Sequence, residues 1–166
     1  PPPLKKEGIR SSPDDPNNRL EVAYDNPVIF KKLFAYFKNI KAQIIHVRCS
    51  PTGITFFTRD HSKKARVVAY VAGEHLNWYY CDGEDAFGIN KEGVEKLFNT
   101  IDNSFSKITF IKEYERPNNF SIIFKDESLD KECCYSIDLS HCQRDPELLE
   151  TEQLLDPATL LERFPL

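Results

Sequence analysis

The sequence predicts an α+β domain built on a duplicated β-α-β-β-β unit, with two helices packed on antiparallel sheet. Three observations lead there. Short stretches of alternating apolar and polar residues recur, separated by turn-forming clusters. Two segments show helical spacing of their apolar residues. The order strand, helix, three strands then occurs twice, with equivalent elements about 62 to 66 residues apart.

The first unit opens with "RLEVAYD" (19–25), where Leu20, Val22 and Tyr24 alternate to one side. Asn26 is placed to cap the following helix, and Pro27 sits in its first turn, where a missing N–H costs nothing. Strands are then expected at "IIHVRCS" (44–50), "GITFFTR" (53–59) and "ARVVAYVAG" (65–73). Ser50-Pro51-Thr52-Gly53 and His61-Ser62-Lys63-Lys64 form the turns between them. An extended stretch (75–89) leads into the second unit and its N-cap, Asn90. Val94, Leu97, Phe98 and Ile101 then mark an amphipathic helix over 91–102. The closing strands are "KITFIKEY" (107–114), "FSIIFKD" (120–126) and "ECCYSIDL" (132–139). Both helices are expected on one face of the sheet.

The chain has 166 residues, 40% hydrophobic and 12% aromatic, enough for one domain with a proper core. No apolar run approaches the roughly 20 residues of a membrane span, and the proline-rich start is not a signal-peptide pattern. Five cysteines at irregular spacing (Cys49, Cys81, Cys133, Cys134, Cys142) argue for a reducing, intracellular setting. Residues 1–18 hold five of the 11 prolines and little to bury, so a disordered arm is expected. Residues 140–166 hold six acids and two arginines. The remaining chain is balanced, and the formal net charge of −4 falls in that tail.

Charge is also segregated inside the domain. From Asn26 to Thr58 there is no acid, while Lys31, Lys32, Lys38, Lys41 and Arg48 all lie there. With Lys31 at zero and about 100° per residue, Lys38 falls near −20°, Lys41 near −80° and Lys32 near +100°. Ile29, Leu33, Tyr36, Phe37 and Ile40 gather opposite, and Phe34, near −60°, is the misfit. Surface helices commonly mix signs and gain i,i+4 pairs; this one sets lysines beside lysines, which a polyanion relieves. No groove-reading or RNP-like pattern accompanies them, so the expected contact is non-specific, salt-sensitive and made to duplex phosphates. The second helix presents Glu92, Lys96, Asn99 and Asn103 and is nearly neutral.

No enzymatic site is legible. The four histidines lie in strands and turns without a nucleophile at recognisable spacing, and there is no Gly-rich phosphate loop. Cys133 and Cys134 point to opposite faces of a strand, so with His141 and Cys142 they make a poor metal site. No cofactor is expected. Trp78, Tyr79 and Tyr80 are read as core or edge aromatics, and Lys63-Lys64 as a solvated turn or a second phosphate contact.

The doubled unit with its lysine-faced helix resembles one domain of the PCNA family of DNA sliding clamps. "FKKLFAYFKNI" looks like the first clamp helix, and "SPTGITFFTRD" is similar to the turn and strand after it. "YYCDGEDAFGIN" resembles the Tyr-x-Cys-Asp segment that leads into the second helix. The likeness covers roughly residues 19 to 140 and is nearest to the PCNA-like clamps of large cytoplasmic DNA viruses of the African swine fever virus type.

The resemblance implies a DNA polymerase processivity factor, active in replication and repair, whose subunits close into a ring, most often a trimer, around double-stranded DNA. It places Lys31, Lys32, Lys38 and Lys96 at DNA-facing positions, and the helical-wheel argument adds Lys41. It makes the last strand the subunit edge, with Cys133, Tyr135, Ile137 and Leu139 at the interface. Residues 19–139 are then the clamp domain, and 140–166 an acidic connector toward a second domain beyond "RFPL". In the family that connector helps bind polymerases, ligases and nucleases. Such a protein works where DNA is replicated, in a viral factory of the host cytoplasm or in the nucleus. The alternatives are a clamp-like accessory or transcription factor that forms no ring, and a structural protein retaining the fold.

Overall fold

The computed structural model describes residues 7–62 and 64–139. Nine strands and two α-helices run in the order β1 (Asn18–Tyr24), α1 (Pro27–Ala35), β2 (Ile44–Ser50), β3 (Gly53–Arg59), β4 (Arg66–Ala72), β5 (Trp78–Cys81), β6 (Asp85–Asn90), α2 (Lys91–Asn99), β7 (Lys107–Glu113), β8 (Asn119–Asp126) and β9 (Lys131–Asp138). A 3₁₀ turn, Gly73–His75, separates β4 from β5. The expected doubling is therefore present, and the linking stretch 75–89 resolves into that turn and two strands.

The strands form two antiparallel sheets. One is five-stranded, in the order β5-β1-β7-β8-β9, and the other four-stranded, β4-β3-β2-β6. The opening strand of each repeat leaves its own repeat: β1 pairs with β7, while β6 pairs with β2. Alternation drives the sandwich. On β7, Ile108, Phe110 and Lys112 are buried between half-buried neighbours, and β8 repeats the pattern with Phe120, Ile122 and Phe124.

Aromatic rings fill the space between the sheets and under the helices. Phe87 of β6 meets Phe120 of β8 at 5.1 Å between centroids, and Phe34 of α1 meets Phe56 of β3 at 5.0 Å. Phe30 of α1 meets Phe110 of β7 at 5.0 Å edge-on. The helices thus lie against both sheets, not on the face of one, because α1 sends rings to β3 and to β7 alike.

The hairpin from β2 to β3 turns at Pro51-Thr52. Its Gly53 is required by close approach: a Cβ there would stand 2.6 Å from the Tyr70 hydroxyl and the Val71 carbonyl. Asn90 caps α2 as expected, its Oδ1 accepting from Gly93 N at 2.8 Å. Asn26 makes no side-chain cap for α1; Ile29 N donates to its backbone carbonyl instead.

The arm expected to be disordered over 1–18 is held in place from Glu7 onward. Gly8 N donates to Leu76 O, Tyr79 N to Gly8 O and Arg10 N to Tyr79 O, which lays the arm parallel to β5. Arg10 stacks its guanidinium 3.4 Å over the Trp78 ring. Glu21, 5% exposed, accepts from Asp14 N, Asp15 N, the Asn18 amide and the Trp78 indole. These partners are scattered in sequence, so composition alone reads the segment as unstructured. Residues 1–6, Lys63 and residues 140–166, the stretch expected to be a connector and carrying His141 and Cys142, lie outside the described residues.

Candidate nucleic-acid interface

The site is built from α1 and α2, which lie side by side. Phe34 and Phe98 stack between them, centroids 4.7 Å apart and planes 28° from parallel. Phe34, the misfit of the helical wheel, is thus buried by the neighbouring helix. Lys31 Nζ donates to the Ile101 carbonyl at 2.9 Å, satisfying an acceptor just past the end of α2. Lys91, 8% exposed, pairs with Glu95 at 2.5 Å and donates to the Lys38 carbonyl at 3.4 Å.

Each proposed lysine now has a place. Lys32 and Lys38 are exposed, and Lys31 is half-buried. Lys31 and Lys38 come together at a recess of about 190 Å³ between the helices, shared with Glu95 and Asn99. Lys96 is exposed but pairs with Glu92 at 3.0 Å, a surface i,i+4 contact of little worth. Lys41 is exposed and lies outside the helix. Its backbone N–H donates to Asp60 and its carbonyl accepts from His61, tying it to the β3–β4 turn.

The wheel needs correction on two counts. The α-helix ends at Ala35, after which Phe37, Lys38 and Ile40 bond three residues back, so angles for Lys38 and Lys41 do not carry over. The buried set is Phe30, Leu33, Phe34 and Phe37, rotated about 65° from the expected face toward Phe34. Tyr36, assigned to the packing face, is 62% exposed, and Ile29 is half-buried. Sequence reasoning also missed Lys91; its i,i+4 spacing from Glu95 was the available signal. α2 itself is shorter than expected, yet all four of its marked apolar residues are buried.

At the other end of the sheet, β9 pairs with β8 along its whole length, and its far edge has no partner strand among the described residues. Cys133 and Ile137 are half-buried and Tyr135 is 39% exposed, its ring 6.0 Å from Phe124. Leu139 is buried, following the strand, with its N–H on the Asn118 carbonyl. Among the described residues no three His, Cys, Asp or Glu gather as a metal site, and no helix is long and apolar enough to cross a membrane.

Residues 19–148 match the family profile described as "Proliferating cell nuclear antigen, N-terminal domain". The chain belongs to the PCNA family. It is 46% identical over 165 residues to the uncharacterized protein E301R of African swine fever virus, an alignment covering 99% of the chain and 54% of the relative. The proliferating cell nuclear antigen of Chaetomium thermophilum is 25% identical over 120 residues, 72% of the chain and 45% of the relative. Proliferating cell nuclear antigen 1 of Plasmodium falciparum is 25% identical over 126 residues, 76% of the chain and 45% of the relative. The chain therefore spans about half the length of the curated relatives it matches. The two helices against two antiparallel sheets are those of a PCNA clamp domain, and the docked arm precedes the matched residues.

Proposed function

We propose that this domain is part of a DNA sliding clamp, a processivity factor that holds polymerase on duplex DNA without chemistry of its own. The observation that carries the reading is the paired helices: the acid-free first helix and the turn that follows it expose Lys32 and Lys38, while Lys31 borders the same surface. Point charges on lysine stems make shifting contacts with phosphates, weak enough to slide and blind to sequence. Lys96, released from Glu92, adds to them, and Lys41 extends the basic surface at the helix end.

The far edge of β9, without a partner strand among the described residues, supports ring closure by strand pairing with the next subunit, since an unpaired ladder is a ready template. Tyr135, Cys133 and Ile137 lie along that edge, whereas Leu139 supports it from the core. A second domain follows residues 140–166 in this reading, and the closed form is a homotrimer. Polymerases and other replication and repair proteins are its partners, and its place is the intracellular site of viral DNA replication.

The test is sedimentation of the natural full-length polypeptide at several concentrations, followed by duplex binding over a salt series. A closed oligomer whose DNA affinity falls steeply with salt is expected. A monomer at every concentration, or association with DNA insensitive to salt, refutes the reading.

A further inference from the structure

The five-stranded sheet lies wholly on the β1 side of β5, and the arm occupies the other edge. It does so as an extended peptide does. Glu7 N donates to Asn77 O at 2.9 Å, Gly8 N to Leu76 O at 3.1 Å and Arg10 N to Tyr79 O at 2.7 Å, while Tyr79 N donates to Gly8 O at 2.9 Å. Main-chain bonds of this kind hold any sequence, but the positions of Gly8, Ile9 and Arg10 do not accept any residue. Gly8 has φ +69°, and a Cβ on it would stand 3.3 Å from the Glu74 carbonyl oxygen, so the position favours glycine. Ile9 lies over Gly73, where a Cβ would come 3.0 Å from its Cγ1, so the missing side chain makes its room. Arg10 covers the Trp78 ring, and Glu7 of the arm itself braces the guanidinium. β5 and the 3₁₀ turn before it thus form a groove that reads glycine, an apolar residue and arginine in succession.

The hold on that segment is light. Ile9, its apolar residue, is 45% exposed. A few main-chain bonds at a sheet edge with so little apolar burial open readily. The arm's other anchorage is separate, with Asp14 N, Asp15 N and the Asn18 amide all donating to Glu21. The exposed Ser11 and Ser12 link the two. Residues 7–10 are therefore free to lift while the Glu21 anchorage and β1 stay in place.

We propose that the β5 edge is a docking groove for a partner protein, which adds an extended Gly-apolar-Arg segment as a strand where residues 8–10 now lie. The arm is the resident occupant and competes with the incoming segment, so the groove is guarded in the free domain. The partner is a different protein and not a second copy. The Ser11–Pro13 tether spans roughly 10 Å at full extension, which holds the arm to its own β5.

Trp78 is the chain's one tryptophan, so its emission reports on the groove. The full chain with Gly8→Val and Arg10→Ala vacates the groove without changing any residue from β1 onward, and circular dichroism checks its fold. A synthetic peptide of residues 7–13 (EGIRSSP) should bind this variant and return Trp78 emission to that of the wild-type chain. The wild-type chain, guarded by a tethered arm of roughly millimolar effective concentration, should bind the peptide at least about tenfold more weakly. The same peptide carrying Arg10→Ala should also bind roughly tenfold more weakly. Should the double variant lose its fold, Arg10→Ala alone in the full chain serves for the same titrations. Trp78 emission that no peptide changes, equal binding of the two peptides, or equal binding by the wild-type and loosened chains overturns the proposal. A concentration-dependent dimer of the wild-type chain that the peptide dissociates would give the groove to a second copy's arm, and overturns it too.

Discussion

Lys31 of α1 donates its ammonium to the backbone carbonyl of Ile101, 2.9 Å away beyond the end of α2. The lysine at the head of the basic run is therefore also a clasp between the helices. Lys31→Glu should lower stability by roughly 1–3 kcal/mol, the value of a hydrogen bond from a charged group, besides weakening DNA association. Lys32→Glu should leave the urea midpoint in place, because Lys32 is exposed and bonds to nothing across the helices. Equilibrium urea unfolding separates the two variants.

The Phe34–Phe98 stack should be the largest single determinant of helix pairing. Phe34 is 2% exposed and also packs edge-on against Phe56. Phe34→Ala leaves a cavity shared by both helices and β3, at a cost of about 3–5 kcal/mol. A loss below about 1 kcal/mol would mean that polar links such as Lys31 to Ile101 and Lys91 to Lys38, and not the ring stack, hold the helices together.

Reversing charge on the exposed lysines tests the interface without disturbing the fold. Lys32→Glu with Lys38→Glu should reduce duplex affinity about equally for all DNA sequences and flatten the slope of log affinity against log salt by roughly two contacts. The thermal midpoint should stay put. An unchanged slope would remove these lysines from the DNA surface.

Asp85 and Lys112 form a nearly enclosed ion pair at 2.7 Å, linking β6 to β7 and so one sheet to the other. Lys112 also lies 4.9 Å over the Phe87 ring. Removing the carboxylate strands a buried ammonium, so Asp85→Ala should cost about 3–5 kcal/mol. Replacing both partners, Asp85→Leu with Lys112→Met, should cost much less. A double-mutant cycle by thermal denaturation reads the difference.

Alkaline pH should unfold the domain through its buried phenols. Tyr79 donates to the Ser50 and Gly53 carbonyls, and burial raises its pKa far above the ordinary range; burial raises Tyr24 as well. A phenol raised on folding stabilises the fold only while protonated. That contribution is complete below the unfolded value, about pH 10, and is lost as pH climbs from there toward the folded one. Tyr79→Phe should lower stability at neutral pH by roughly 1–3 kcal/mol through the two stranded carbonyls, and should make the alkaline decline shallower. Urea titrations between neutral pH and strong alkali follow both effects.

Local chemistry made the elements readable. β2 and β3 fall where alternation and the Pro51-Thr52 turn put them, and Asn90 caps α2 through the bond its position suggested. What the helical wheel could not carry was tertiary. The face of α1 turns toward Phe34 because α2 lies beside it, and a wheel drawn for one helix contains no neighbour. The arm from Glu7 to Asn17 was illegible for the same reason, its order coming from Glu21, Trp78 and Tyr79 far along the chain. The lysines of the first helix were singled out by the absence of acids near them in sequence; folding then sets Glu95 beside Lys31 and Lys38 and Asp60 beside Lys41. Lys31's clasp on Ile101, by contrast, depends on a contact 70 residues away.

The interleaving of the two sheets bears on synthesis. Leu20 of β1 pairs with Cys81 on one side and Lys112 on the other, and β6 completes the sheet begun by β2. A nascent chain carrying only the first repeat has a strand with both edges bare and a three-stranded sheet lacking its fourth member. Neither half is a folding unit, and the apolar face of β1 must wait until β7 has left the ribosome. Cutting the loop near Glu74 should thus yield two pieces that are insoluble apart and reassemble when coexpressed. That would make this domain a natural two-part reporter, whose halves regain structure only in each other's presence.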